Sequence, residues 1–265
     1  MSLTVNILGC GSSMGVPRVA LGWGECDPNN PKNRRRRCSI MIERAKDHHR
    51  TRVLVDCTPD LREQLLDARV DWVDGVLITH EHADHTHGID DLRPLYVHKR
   101  HRVPVYMDEP TSRAMHARFA YCFMKPPGSD YPPIATEHRL VPGHAVTIEG
   151  QGGAIEVLPV LQEHGDIPSL GFRFGNVAYS ADIKNLPPES IAALAGLDVW
   201  IVDALRRTPH PSHLTVDEAL AWIARIKPKR AILTNLHSDL DYEALRASLP
   251  PNIEPAYDRM SFAVS

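Results

Sequence analysis

Apolar positions in the first eighty residues either alternate with polar ones or run together over five or six residues. That pattern predicts strands at 3–8, 38–43, 51–56 and 75–79, each bounded by Gly, Pro or polar turn residues. Leu61, Leu65 and Leu66 share one face behind Pro59, which predicts a helix over 59–68. A second helix is expected over 89–99, reset at Pro94. A strand at 103–107 and a helix from 110 to about 121 follow, and then the stretch KPPGSDYPP at 125–133, which sustains neither regular structure and reads as a surface loop, a lid or a contact arm. Further strands are predicted at 140–148, 154–160, 169–174 and 176–180. The rhythm then changes to strand 199–203, helix 215–226, strand 231–235, helix 242–248 and a closing strand at 260–264. Two mixed sheets flanked by helices, an α/β class, accommodate this count.

With 265 residues, 43% of them apolar and 24% charged, the chain can bury one layered core, so a single domain over 1–265 is expected. A formal charge of -3 gives no broad basic field, which speaks against a nucleic-acid partner. The opening MSLTVNILGCG lacks a basic n-region, and no uncharged apolar run is long enough to span a bilayer; a cytoplasmic protein with no membrane partner is expected. The five cysteines form no C-x-x-C pair, as free thiols in a reducing compartment would.

Fifteen histidines are the one conspicuous excess, and four crowd into His80, His82, His85 and His87. The strand at 75–79 runs directly into His80, His82, Asp84 and His85. Two imidazoles one residue apart point the same way from an extended segment, while an acid and a His at the start of a helix turn toward a second ion. Three more candidates each follow an apolar strand: His164, Asp182 and His237. Strand ends hold such ligands rigidly.

The pattern T-H-x-H-x-D-H-x-x-G, followed by a His, an Asp and a His at strand ends, resembles the signature of the metallo-β-lactamase superfamily over nearly the whole chain. The resemblance implies a four-layer αββα sandwich. It implies that His80, His82 and His164 bind one ion, that Asp84, His85 and His237 bind another, and that Asp182 bridges them. It further implies two divalent metal ions, Zn²⁺ first with Mn²⁺ or Fe²⁺ as alternatives, flanking a hydroxide that Asp84 orients.

Other segments narrow the branch. His213, in PSHLTVDEALAW, resembles a segment of tRNA 3′-end processing enzymes and of the cyclic phosphoribosyl phosphodiesterases of phosphonate breakdown, where a His faces the phosphate. The segments 9–17, 32–39 and 88–93 are similar to the same phosphodiesterases. Ser12 and Ser13 are candidate phosphate donors, and Arg34, heading the run Arg34 to Arg37, is a candidate clamp. One departure stands out: where those phosphodiesterases carry a Cys-rich zinc knot, this chain has only Cys26, so no structural zinc is predicted and packing of Trp23 is expected to hold the loop. His87 is expected to face away from the metals or to support a ligand. The expected activity is hydrolysis of a small cyclic or nucleotide-like phosphodiester, with His213 assisting the leaving group. The alternatives are a tRNA 3′-end endoribonuclease, a lactonase or other ester hydrolase, and a non-catalytic nucleotide binder; a homodimer is left open.

Overall fold

The computed structural model describes residues 2–264. The first sheet has seven strands. These are β1 (Leu3–Gly9), β2 (Ser39–Lys46), β3 (His49–Val55), β4 (Gly75–Leu77), β5 (Val103–Met107), β6 (Ala135–Arg139) and β14 (Ser261–Val264), in the spatial order β14-β1-β2-β3-β4-β5-β6. The second sheet runs β13-β12-β11-β10-β9-β8-β7. It is built from β7 (Val146–Ile148), β8 (Ile155–His164), β9 (Ile167–Phe174), β10 (Val177–Ser180), β11 (Val199–Asp203), β12 (Arg230–Thr234) and β13 (Ile253–Pro255). Both are mixed: β3 to β6 are parallel, as are β10 to β13, and the remaining pairs are antiparallel.

Alternation along the strands sorts residues into layers. Val5, Ile7, Ile40, Ile42, Val53 and Val55 face inward and meet Val157, Phe172, Tyr179, Val199 and Ile201 of the other sheet. Their neighbours Leu8, Met41 and Leu54 face outward, against Leu61 and Leu65 of α1 (Leu61–Asp67), Leu95 of α3 (Arg93–Lys99) and Met115 of α4 (Glu109–Phe123). On the far side Trp200, Val202 and Leu233 pack on α6 (Val216–Ile226) and α7 (Tyr242–Ser248) through Ala219, Ile223 and Leu245. The result is the four-layer αββα sandwich expected. No helix among the described residues is long and apolar enough to cross a membrane.

Three local expectations are corrected. The strand predicted over 140–148 is broken: β6 ends at Arg139 and β7 begins at Val146, because Pro142 has no N–H to give a ladder and Gly143 turns the chain at φ +79. This break carries the chain from the first sheet to the second. The hairpin β2–β3 is longer than predicted, its charged tip held by ladder bonds from Lys46↔His49 back to Ile40↔Val55. The helix expected over 89–99 divides into a 3-10 turn at Ile89–Leu92 and α3, with Pro94 in the first turn of α3. α5 (Pro188–Ala193), β6 and β13 were not foreseen.

Candidate metal centre

The carboxyl ends of β3, β4, β8, β10, β11 and β12 open on one rim of the sandwich, the place where sheets of this kind leave a crevice. Asp56 follows β3, His80 stands three residues beyond β4, His164 closes β8, and Asp182 stands two residues beyond β10. His82 caps the short helix α2 (Ala83–Thr86), so the extended backbone of His80–His82 turns into a helix there. That turn sends Asp84 and His85 to the other side of Asp182.

The ligand atoms of His80, His82, His164 and Asp182 all lie within 4.8 Å of one another, and those of Asp84, His85 and Asp182 form a second such group. In the first, His82 Nδ1 is 2.9 Å from His80 Nε2 and 3.3 Å from His164 Nε2. Asp182 Oδ2 is 3.7 Å from His80 Nε2 and 3.5 Å from His164 Nε2. In the second, His85 Nε2 is 3.3 Å from both Asp84 Oδ2 and Asp182 Oδ1. Asp182 thus turns one oxygen to each group. Two ligands bound tetrahedrally at Zn–N distances stand about 3.3 Å apart, so the spacing suits a divalent ion in each pocket.

The electrostatics agree. Burial drives the His80 and His164 imidazoles down, leaving neutral rings with a free lone pair. Burial opposes charge on His85 too, yet Asp182, Asp84 and Asp56 more than offset it and lift this imidazole well above its usual range. Three carboxylates converging on one buried ring leave an excess of negative charge that a cation would neutralise. The donor set therefore fits divalent metal ions.

Partners behind the ligands fix their aim. His85 Nδ1 donates to Asp56 Oδ2 at 2.6 Å, and Asp56, fully buried, also accepts from the Thr79 N–H and hydroxyl at 2.8 and 3.0 Å. His80 Nδ1 donates to the same Thr79 hydroxyl at 3.0 Å, so one threonine ties two ligands to one acid. His164 Nδ1 donates to the Ser212 carbonyl at 2.7 Å, and Asn235 Nδ2 donates to Asp182 Oδ1 at 3.1 Å.

His213 stands beside this cluster. Its Nδ1 donates to Asp203 Oδ2 at 2.8 Å, its Nε2 lies 3.8 Å from Asp182 Oδ2, and its ring packs edge-on to His164 at 4.7 Å. Burial works against charge here, but Asp203 and Asp182 outweigh it and push His213 up to about 9.

The remaining candidates fall elsewhere. His237 joins neither group: its Nδ1 donates to Asp239 at 2.5 Å and its Nε2 accepts from Arg18 Nη1 at 3.1 Å. Ser12 is buried and Ser13 exposed. Of the basic run, Arg34 is exposed, Arg36 pairs with Asp67 at 2.6 Å and Arg37 with Asp60 at 3.1 Å. Arg35 is buried and donates to the carbonyls of His237 and Leu240 at 3.2 and 2.8 Å, so the fold takes up three of the four. The segment around Cys26 is held by Arg35, which reaches Cys26 Sγ at 3.9 Å, and by Asn33, which donates to the Asp27 carbonyl at 3.1 Å and to Asp241 at 2.6 Å; Trp23 is half-buried. His87 packs edge-on to Phe119, 5.1 Å away. Asp56, Asp203 and Asn235 were missed, although each ends an apolar strand as Asp182 does.

The family description "Beta-lactamase superfamily domain" matches residues 51–235. A crystal structure of a new diphosphatase from the PhnP family is 36% identical, with a TM-score of 0.87, covering 100% of this chain and 98% of that one. Zn²⁺-bound PqqB from Methylobacterium extorquens (16% identical, TM-score 0.75, covering 98% and 99%) and human tRNase Z, short form (16%, 0.62, 98% and 98%) share the fold. An octanoyltransferase of Porphyromonas gingivalis (strain ATCC BAA-308 / W83) is 35% identical over 257 residues, 95% of this chain; the chain spans 50% of that relative's length. The match over residues 51–235, the two-sheet sandwich and the full-length likeness to the diphosphatase agree: the chain belongs to the beta-lactamase superfamily and, within it, to the PhnP family.

Proposed function

We propose that this protein hydrolyses a P–O bond in a small phosphodiester or diphosphate, with His213 giving its proton to the departing oxygen. The observation that carries the reading is the Asp203–His213 pair, which aims a protonated Nε2 at the rim where Asp182 joins the two ligand groups. Divalent ions held by His80, His82, His164 and Asp182, and by Asp84, His85 and Asp182, would supply a water acidified toward neutrality and would offset the phosphate's charge. In the reaction the water oxygen would add to phosphorus as one of its protons passes to solvent, from which His213 is later reprotonated, and the bond to the leaving oxygen would break. That oxygen takes the His213 proton, giving a phosphate monoester and an alcohol, or two phosphates from a diphosphate. Asp84 would orient the attacking water, and Asp203, accepting from Nδ1–H, orients the ring and favours the doubly protonated imidazolium, whose Nε2–H is the proton to be given.

His213→Ala tests this. The variant should retain its metal content and hydrolyse bis(p-nitrophenyl) phosphate about 10²- to 10⁴-fold more slowly, the usual worth of a placed acid. An unchanged rate removes His213 from the mechanism.

The diphosphatase among the similar structures favours a diphosphate as the substrate. The name octanoyltransferase belongs to a relative of which only half is matched. An acyl-carrying thiolate finds no support here: all five cysteines are buried, and burial pushes each thiol up, away from the ionised form.

A further inference from the structure

Arg18 carries a guanidinium without an acid partner, held against His237, two residues beyond the Asn235 that donates to Asp182. Arg18 Nη1 is 3.1 Å from His237 Nε2, and among the described residues no carboxylate comes within 4.0 Å of this arginine. Its Nε is buried with no hydrogen-bond partner. Arg35 Nε and Arg37 Nε share that feature, but each of Arg35, Arg36 and Arg37 is engaged by an acid or by main-chain carbonyls, as Arg18 is not.

The backbone that carries Arg18 is fixed. Arg18 and Gly22 exchange main-chain bonds of 2.9 and 2.8 Å, and Val16 and Arg35 exchange bonds of 2.8 and 2.9 Å. The buried Arg35 then binds the carbonyl of His237 at 3.2 Å. One residue thus locks the Arg18 arm to the His237 segment, so the guanidinium can turn without the arm moving. The single lone pair of His237 Nε2 can serve Arg18 or a cation, not both. Turned from it, the arginine would have five donors to satisfy, in a planar fork suited to phosphate.

We infer that Arg18 is a specificity-determining residue that grips a second anionic group next to the scissile phosphate, which selects diphosphates or phosphate-bearing diesters over simple diesters. This rests on the phosphohydrolase reading above. A simple diester carries one negative charge and leaves the fork without its partner.

The test compares metal-loaded wild type with Arg18→Ala and Arg18→Lys. Binding of inorganic pyrophosphate is measured by titration calorimetry, hydrolysis of ADP against bis(p-nitrophenyl) phosphate by kcat/KM, and metal content on the same samples. Loss of one forked, charge-assisted contact should weaken pyrophosphate binding by about 10- to 100-fold in Arg18→Ala. The preference for ADP should fall by a similar factor at unchanged metal content, and Arg18→Lys, which keeps the charge but not the fork, should fall between. Equal pyrophosphate affinity in wild type and Arg18→Ala overturns the assignment, as does loss of metal in both variants or absence of pyrophosphate binding to the wild type. If pyrophosphate binding depends on Arg18 while the wild type cleaves neither substrate, the anion site stands and the proposed hydrolysis falls.

Discussion

Asp203 and Asp56 do the same work on opposite sides of the centre: each is a fully buried carboxylate that takes up one imidazole nitrogen and so aims the other. The charge of Asp203 matters as much as its hydrogen bond, because it is the leading influence that raises His213 against burial. A raised folded-state value means that the proton, and the stability it confers, is fully present below the unfolded value and is lost as pH rises through about 9. Activity that needs this proton therefore declines above about pH 9 in the wild type. Asp203→Asn keeps the contact but removes the charge, so the alkaline limb of the pH–rate profile should move down toward the ordinary imidazole value of about 6.5. A limb that stays in place would show that another group sets it. Asp56 and Asp203 were within reach of the sequence, since each closes an apolar run. A lone acid at a strand end, however, does not say whether it faces a metal, a histidine or water; distances decide that.

Thr215 is the N-cap of α6, its hydroxyl accepting from the Glu218 N–H at 3.1 Å while the Glu218 carboxylate accepts from the Thr215 N–H at 2.8 Å. That box starts the helix two residues after His213 and fixes where the loop from β11 must end. Thr215→Ala should cost about 1 kcal/mol in urea-induced unfolding, and an unaltered midpoint would mean that packing alone sets the helix start. Most elements were legible because their apolar periodicity is strong: α6 buries Val216, Ala219, Ile223 and Ile226, and β11 is buried from end to end. β6 was not legible, because four of its five residues, Thr136, Glu137, His138 and Arg139, are polar and it lies at a sheet edge, where solvent takes the place of a second neighbour. The short strand β13 and helix α5 carry too few apolar positions to show a period.

The sandwich brings segments from residue 56 to residue 239 to one rim, and the carboxylates it buries there make the protein dependent on what balances them. Divalent ions that bind only the folded chain stabilise it, by about 2.7 kcal/mol at a hundred times their dissociation constant. Stripping them with a chelator should lower Tm by roughly 5 to 10 °C for a chain of this size, and re-addition of Zn²⁺ or Mn²⁺ should restore it. A melting curve indifferent to chelator and metal would count against the centre. The sequence by itself determined the two-sheet class, the order of most strands and helices, and the ligand types in the loop at His80 to His85, because periodicity and residue chemistry are local properties. Only the tertiary structure decided that Asp182 faces both groups, that His237 is taken up by Arg18 and Asp239, and that the basic run is spent largely on the fold. Those outcomes depend on which strand ends meet across some tens to two hundred residues of chain, and contacts at that separation are set by the packing of two sheets, which no local pattern encodes.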